Sequence, residues 1–267
     1  MVRVAAYQLK PHATLEKRIE QLHKALSKAD RENVGFVCFP EGFLTGYYSE
    51  KNQALENSFH VRDSKFQDLL NGLKHYHATI ILGFNEQDEG HLFDSVAVIE
   101  QGKLLGIQRK HYLYHPYFTP GTTFIPFSSK GICFGVMVCL DSMYFEPARL
   151  LALQGAEILF CPMCNKVDPS HPYVQRPVYY SHLIARSFEN RCWVVSADWV
   201  GSEQGLVCPG HSVVYDPNGQ EIKRSKEGQE ELLIVDIPKD SLFKDKGRRI
   251  QGSSMLAQKI SQIQQSL

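Results

Sequence analysis

Short β-rich runs alternate with helical patterns along nearly the whole chain, and no other feature limits its possible folds as strongly. Leu15, Ile19, Leu22 and Leu26 recur at helical spacing, and residues 34–39 follow as an apolar run of strand length. Phe66, Leu69, Leu70 and Leu73 predict a second helix, with residues 79–83 as the next strand. Residues 92–99 turn at Gln101-Gly102 into residues 104–107, which is a hairpin signal. Residues 132–138 predict a further strand, with a helix beginning near Phe145. Residues 157–161, 192–197 and 211–215 predict three more strands, with a helix over residues 180–189 between the first two. Asp216-Pro217-Asn218-Gly219 is a strong turn and implies another hairpin. No internal repeat, low-complexity linker or composition shift divides the sequence. The expectation is one α/β domain over residues 1–267, with helices covering sheet faces. Two stacked sheets suit the hairpins better than one doubly wound sheet. The tail, residues 253–267, carries Leu256, Ile260, Ile263 and Leu267 at helical spacing, so it is expected to pack on the body or on a partner.

Charge narrows the class of partner. Lys+Arg 29 balance Asp+Glu 29, with no long run of one sign, so neither nucleic acid nor a membrane surface is indicated. The first residues resemble a strand rather than a secretory signal, and no apolar stretch reaches the ~20 residues of a membrane helix. Seven cysteines, an odd number scattered through apolar segments, argue against a disulfide framework and for a reducing, cytoplasmic setting. The 11 histidines form no recognisable ligand set, so neither a metal nor a cofactor is expected. His111, His115, His171 and His182 fit surface or pocket-rim positions.

Three strand ends carry chemistry. Glu41 closes the run Phe39-Pro40-Glu41, Lys110 closes residues 104–110, and Cys139 closes the most apolar strand in the chain. Groups just past the carboxyl ends of strands converge on one crevice in α/β sheets. A carboxylate can accept the thiol proton as sulfur attacks a carbonyl or nitrile carbon. An ammonium, helped by backbone N–H groups after Cys139, stabilises the charge that develops on oxygen or nitrogen. A helix close after Cys139 would favour the thiolate.

The wording around these residues is similar to one family. VCFPEGFLTGY around Glu41, QRKHYL around Lys110 followed by YFTPG, and GVMVCLDSMYFEPARLLALQGAEIL around Cys139 resemble the three motifs of the nitrilase, or carbon–nitrogen hydrolase, superfamily. ARSFENRCWVVSADWVG and GHSVVYDPNGQEI resemble its last core strands, so the likeness runs from Val4 to about Ile237. The resemblance implies a four-layer α-β-β-α sandwich paired through a helical face into a homodimer or higher oligomer. It also implies a metal-free mechanism on nonpeptide carbon–nitrogen bonds, with Glu41 as base, Lys110 as electrophilic stabiliser and Cys139 as nucleophile. Asp141, Glu146 and Arg149 stand at the family's offsets from Cys139, and Glu146 with Arg149 is expected to support the Cys139 turn. Cys139-Leu140-Asp141, where nitrilases typically have Cys-Trp-Glu, points to the amidase and carbamoylase branches. The expected substrate is a small linear amide, cleaved to ammonia and a carboxylate. An N-carbamoyl amine or amino acid is the next candidate. A thiol acyltransferase, or a non-catalytic binding or assembly module, are competing classes.

One departure stands out. Many family members carry a second glutamate between the lysine motif and the following Pro-Gly, where it orients substrate and lysine. Here KHYLYHPYFTPG holds no carboxylate, and Tyr114 and His115 stand nearest that place. Tyr47, Tyr114, His115 and Asn165 are the candidate substrate-binding residues. Tyr47, Tyr48, Tyr144, Tyr173 and Trp199 fit either an aromatic pocket or ordinary packing. Cys161-Pro162-Met163-Cys164 has CxxC spacing, but no second pair stands at zinc-site spacing; the resemblance implies instead that this stretch forms a pocket wall.

Overall fold

In the computed structural model, residues 1–171, 180–203 and 205–242 are described, with positions 255, 257, 258, 261, 262 and 265 of the tail. Tyr173 and the tail positions Leu256, Ile260, Ile263 and Leu267 lie outside the described residues.

The predicted alternation forms helix and strand where the apolar periodicity changes. β1 (Val2–Gln8) leads into α1 (Leu15–Arg31), β2 (Phe36–Cys38), α2 (Lys51–Glu56), α3 (Ser64–Gly72) and β3 (Thr79–Asp88). β4 (His91–Glu100) and β5 (Lys103–Arg109) form the expected hairpin; Gln101 and Gly102 both take positive φ, as a tight hairpin turn requires. β6 (Phe127–Ser129), β7 (Ile132–Val136), α4 (Phe145–Leu153), β8 (Ile158–Pro162), α5 (Tyr180–Asn190) and β9 (Trp193–Ala197) follow. β10 (Val200–Glu203) pairs with β11 (Leu206–Pro209), and β12 (Val213–Tyr215), β13 (Glu221–Arg224) and β14 (Glu231–Ile237) complete the order. The sequence pattern did not reveal α2, β6, the β10–β11 hairpin or β14, all short or bordered by polar residues.

Among the described residues, two six-stranded sheets dominate, ordered β14-β1-β2-β3-β4-β5 and β13-β12-β9-β8-β7-β6. From β5 to β14 the ladders run antiparallel, antiparallel, parallel, parallel, antiparallel. From β13 to β6 the pattern is the same. The two sheets therefore repeat one topology that no sequence repeat announces.

Period-two alternation gives each central strand two apolar faces. Val4, Ala6, Phe36 and Ile81 of the first sheet pack against Phe134, Val136, Phe160 and Val195 of the second. On the first sheet's other face, Val37, Ile80 and Leu82 meet Leu22 and Leu26 of α1 and Phe66 and Leu70 of α3. On the second sheet's other face, Leu159 and Val194 meet Leu151 of α4 and Leu183 of α5. The result is the four-layer α-β-β-α sandwich, and stacked sheets replace a doubly wound sheet because each sheet has an inner face to bury.

Candidate active site

Backbone bonds between the sheets bring the strand ends together. Just past β2, Glu41 donates its amide to the carbonyl of Met163 (3.2 Å), and the Trp199 indole N–H donates to the Glu41 carbonyl (2.8 Å). Met163 stands just past β8 and Trp199 between β9 and β10. Gly83 on β3 permits the close turn, because a Cβ there would lie 2.6 Å from the Pro40 oxygen. Glu41 has no exposed surface.

Lys110 stands one residue past β5 and is 1% exposed. Its position depends on a register shift between Val98 and Ile99 on β4. With Glu100 opposite Lys103, an unshifted ladder would set Asp94 opposite Arg109; the shift sets Ser95 there instead and brings Asp94 opposite Lys110. The Lys110 amide donates to the Asp94 carbonyl (2.8 Å), and Gly121 donates to the Lys110 carbonyl (2.7 Å). Gly121 is required at that approach, since a Cβ would meet the Arg109 oxygen at 2.4 Å. The Lys110 Nζ donates to Glu41 Oε1 and to Asp94 Oδ2 (3.2 Å). Arg109, beside it, is fixed by Glu86 (2.7 and 2.8 Å), Asp88 (2.6 Å) and the Phe93 ring.

Cys139 begins a single 3-10 turn, Cys139–Met143, with φ of 45°, a left-handed conformation that a cysteine adopts only under local constraint. The expected α-helix starts at Phe145, so this short turn, not α4, directly follows the thiol. Buried Asp141 holds the turn: its carboxylate accepts the amides of Val138 (3.2 Å), His111 (3.1 Å) and Tyr112 (2.8 Å), joining it to the segment after Lys110. Arg186, from α5, donates to the carbonyls of Ser142 (3.0 Å) and Met143 (3.3 Å). Of Glu146 and Arg149, expected to support the turn, Glu146 reaches the side chain of Tyr112, whose amide Asp141 holds, while Arg149 turns away. Arg149 reaches the Glu189 carbonyl (3.1 Å), and no ion pair among the described residues joins it to Glu146. Arg186 does that work because α5 crosses the turn while Arg149 faces α5.

The electrostatics follow from burial. Desolvation raises the Glu41 pKa well above the glutamate range; Lys110 opposes this and Asp94 adds to it. Desolvation works against the Lys110 charge, but Glu41 and Asp94 outweigh it and hold the ammonium. Burial and then Glu41 raise the Cys139 thiol well above its ordinary value, against Lys110 and the Cys164 backbone N–H. Cys139 is thus a thiol at rest. Glu41 Oε2 has no protein donor and is the oxygen left to receive a proton.

The other candidates divide. The Tyr47 ring lies 5.8 Å from Lys110 Nζ and 5.2 Å from the His115 ring. His115 stacks on Tyr117, and burial, then Lys110, lowers its pKa, so it meets Lys110 as a neutral ring. Tyr114 is 74% exposed and turns to solvent, away from the buried ammonium. Asn165 donates to Asp198 through its amide (3.1 Å) and side chain (2.9 Å), and Asp198 also accepts from Trp199 (2.9 Å) and His211 (3.1 Å). Asn165 therefore anchors the loop after β8. Cys164 lines a narrow cleft with Gly46, Tyr47, Lys166, Trp199 and Glu203, about 10 Å³ in volume. The Tyr48 hydroxyl lies 3.5 Å from an Arg18 guanidinium nitrogen, and Tyr144 stacks on Tyr112 at 3.6 Å. Cys161 is buried with its sulfur 3.3 Å from that of Met163; all seven cysteines are free, and no metal-binding cluster occurs among the described residues. A cavity of about 340 Å³ between α1, α2 and α3 includes none of the three central groups.

Asp94, Arg186 and Asp198 escaped functional assignment from sequence, and Trp199, read there as pocket lining or packing, also bonds the Glu41 carbonyl. The hairpin signal around Gln101-Gly102 could have found Asp94, had the register shift been visible.

Comparison with known proteins shows the family and the fold. A family model described as carbon-nitrogen hydrolase matches residues 3–244. A nitrilase of Pyrococcus abyssi is 29% identical, over 89% of this chain and 90% of its own length. An (R)-stereoselective amidase of Pseudomonas sp. is 28% identical, over 77% of this chain and 74% of its own. The amidase of Nesterenkonia sp. AN1, solved with acrylamide added at its active-site cysteine, superposes with TM-score 0.77 at 22% identity, covering 94% and 99% of the two chains. The chain spans 46% of the length of the glutamine-dependent NAD+ synthetase of Acinetobacter baumannii (TM-score 0.78, 22% identity, 90% of this chain). By the family model across nearly its whole length, the chain belongs to the carbon-nitrogen hydrolase family.

Proposed function

We propose that the chain hydrolyses a small linear amide through a Cys139 acyl-enzyme, releasing ammonia and a carboxylate. The observation that carries this is the buried Lys110 ammonium bonded to Glu41 at the end of β2, beside a Cys139 held in left-handed backbone at the end of β7. Glu41 takes the thiol proton as sulfur attacks the carbonyl carbon. The Lys110 ammonium and the backbone N–H after Cys139 meet the oxyanion. Glu41 then returns its proton to the leaving nitrogen, the C–N bond breaks, and a thioester remains. Glu41 next deprotonates a water, whose attack on the thioester releases the acid and restores the thiol.

The amidase relatives and Cys139-Leu140-Asp141 favour an amide over a nitrile. An N-carbamoyl compound would use the same chemistry. The apolar face of α4 and α5, where Phe145, Leu150, Ile184 and Phe188 are each at least 39% exposed, supports pairing with a second copy.

Intact mass and ammonia release, measured with a panel of small amides, carbamoyl compounds and nitriles, test the reading. Turnover or a covalent adduct that disappears in Cys139→Ala is expected, with amides the best substrates. Nitrile turnover without amide turnover would reassign the branch. A wild-type chain inert to the whole panel and to thiol alkylation would sink the hydrolase reading in favour of a binding module.

A further inference from the structure

The chain carries no glutamate between Lys110 and Gly121, and neither residue near that place replaces its charge: Tyr114 is exposed and His115 is neutral. We propose that Asp94, on the strand beside Lys110, is the second carboxylate of this site, a positioning residue that shares the Lys110 ammonium with Glu41. The inference rests on the hydrolase reading above.

Asp94 grips Lys110 twice. Its carbonyl accepts the Lys110 amide (2.8 Å), and its carboxylate accepts from Nζ (3.2 Å). Asp94 is 2% exposed, and its Oδ1 has no protein donor. A second carboxylate buried on one ammonium is costly, and a neutral asparagine could accept the same bond without that penalty. The charge therefore has an effect that the hydrogen bond alone does not supply. Desolvation already raises Glu41, and Lys110 alone would pull it back toward the ordinary carboxylate range. Asp94, bonded to the same ammonium and in hydrogen-bond contact with the Glu41 carboxyl, opposes that pull and keeps Glu41 basic enough to take a thiol proton. It also leaves Lys110 with a counter-charge once Glu41 is neutralised by that proton. The other titratable groups around Glu41 and Lys110 are Cys139, Cys161, Cys164, Tyr47, Tyr117, His115 and Asp141. Of these Asp141 alone is a carboxylate, and its oxygens accept the backbone amides of Val138, His111 and Tyr112 rather than the Lys110 ammonium.

The test follows Cys139 alkylation by iodoacetamide against pH, by intact mass with Cys139→Ala as control, in wild type, Asp94→Asn and Asp94→Glu. Asp94→Asn removes a negative charge, so Glu41 and the thiol beside it lose protons more easily. The acid limb of the alkylation profile is expected to move down by about one pH unit. Turnover of whichever amide the panel identifies is expected to fall roughly ten- to hundred-fold as Lys110 loses its second anchor. Asp94→Glu keeps the charge, so its limb stays at the wild-type pH even if its rate drops. An unmoved limb in Asp94→Asn overturns the proposal, whether or not the rate falls. Should Asp94→Asn not fold, a limb displaced in Asp94→Glu overturns it and an unmoved one supports it. A wild-type Cys139 that resists iodoacetamide at every pH counts instead against the hydrolase reading.

Discussion

At 1% exposure, Lys110 keeps its proton because Glu41 and Asp94 together outweigh the cost of removing an ammonium from water. The same desolvation pushes Glu41 upward, so its basic form appears only above the usual carboxylate range. Activity requires that form, and protonation removes it. The rate should therefore be lost as pH falls through a value well above ordinary glutamate, and a pH–rate profile of kcat/KM reads this as its acid limb. A limb in the ordinary carboxylate range would contradict the burial argument. Glu41→Gln preserves shape but cannot accept the proton, so turnover should fall by roughly 10²- to 10⁴-fold with the fold intact by circular dichroism. Glu41, Lys110 and Cys139 were legible in sequence because each ends an apolar strand within a distinctive local motif. Asp94 was not, because its partner lies across a hairpin whose register contains a shift.

Among elements, the short turn after Cys139 matters more than α4. Asp141 ties this turn to the segment after Lys110 through the amides of His111 and Tyr112, and accepts a third from Val138 at the start of the turn. Burial raises Asp141 to about 6, while those amides favour its charged form. In Asp141→Asn an amide N–H₂ must face one of these backbone donors. The substitution should cost about 1–3 kcal/mol of stability, and kcat should fall more than KM rises, because nucleophile and ammonium are displaced relative to each other. Calorimetry and steady-state kinetics check the two parts. A variant with unchanged Tm and kcat would show that the turn holds without this link. Helices α1, α3, α4 and α5 were legible from apolar periodicity over more than two turns. The one-turn segment Cys139–Met143 and the six-residue α2 were not, since each is too short to show a period.

For the whole molecule, two sheets with the same ladder pattern pack face to face, and each is covered by helices on its outer face. No described helix is long and apolar enough to cross a membrane. The outward face of α4 and α5 remains apolar after the core is satisfied. A second copy seated there predicts a dimer by light scattering, and Phe188→Glu with Leu150→Glu should give a monomer that still folds. A monomeric wild type would exclude pairing through this face. By itself, the sequence determined the helix and strand periods, the end-of-strand placement of the three central groups and the family they signal. All of these are carried by residues close together in the chain. Only the tertiary structure decided that Met163, just past β8, and Trp199, between β9 and β10, pin Glu41 just past β2, and that Asp94 shares the Lys110 ammonium. The physical reason is register. A one-residue shift in the β4–β5 ladder changes which side chain faces Lys110, and local composition carries no trace of that shift.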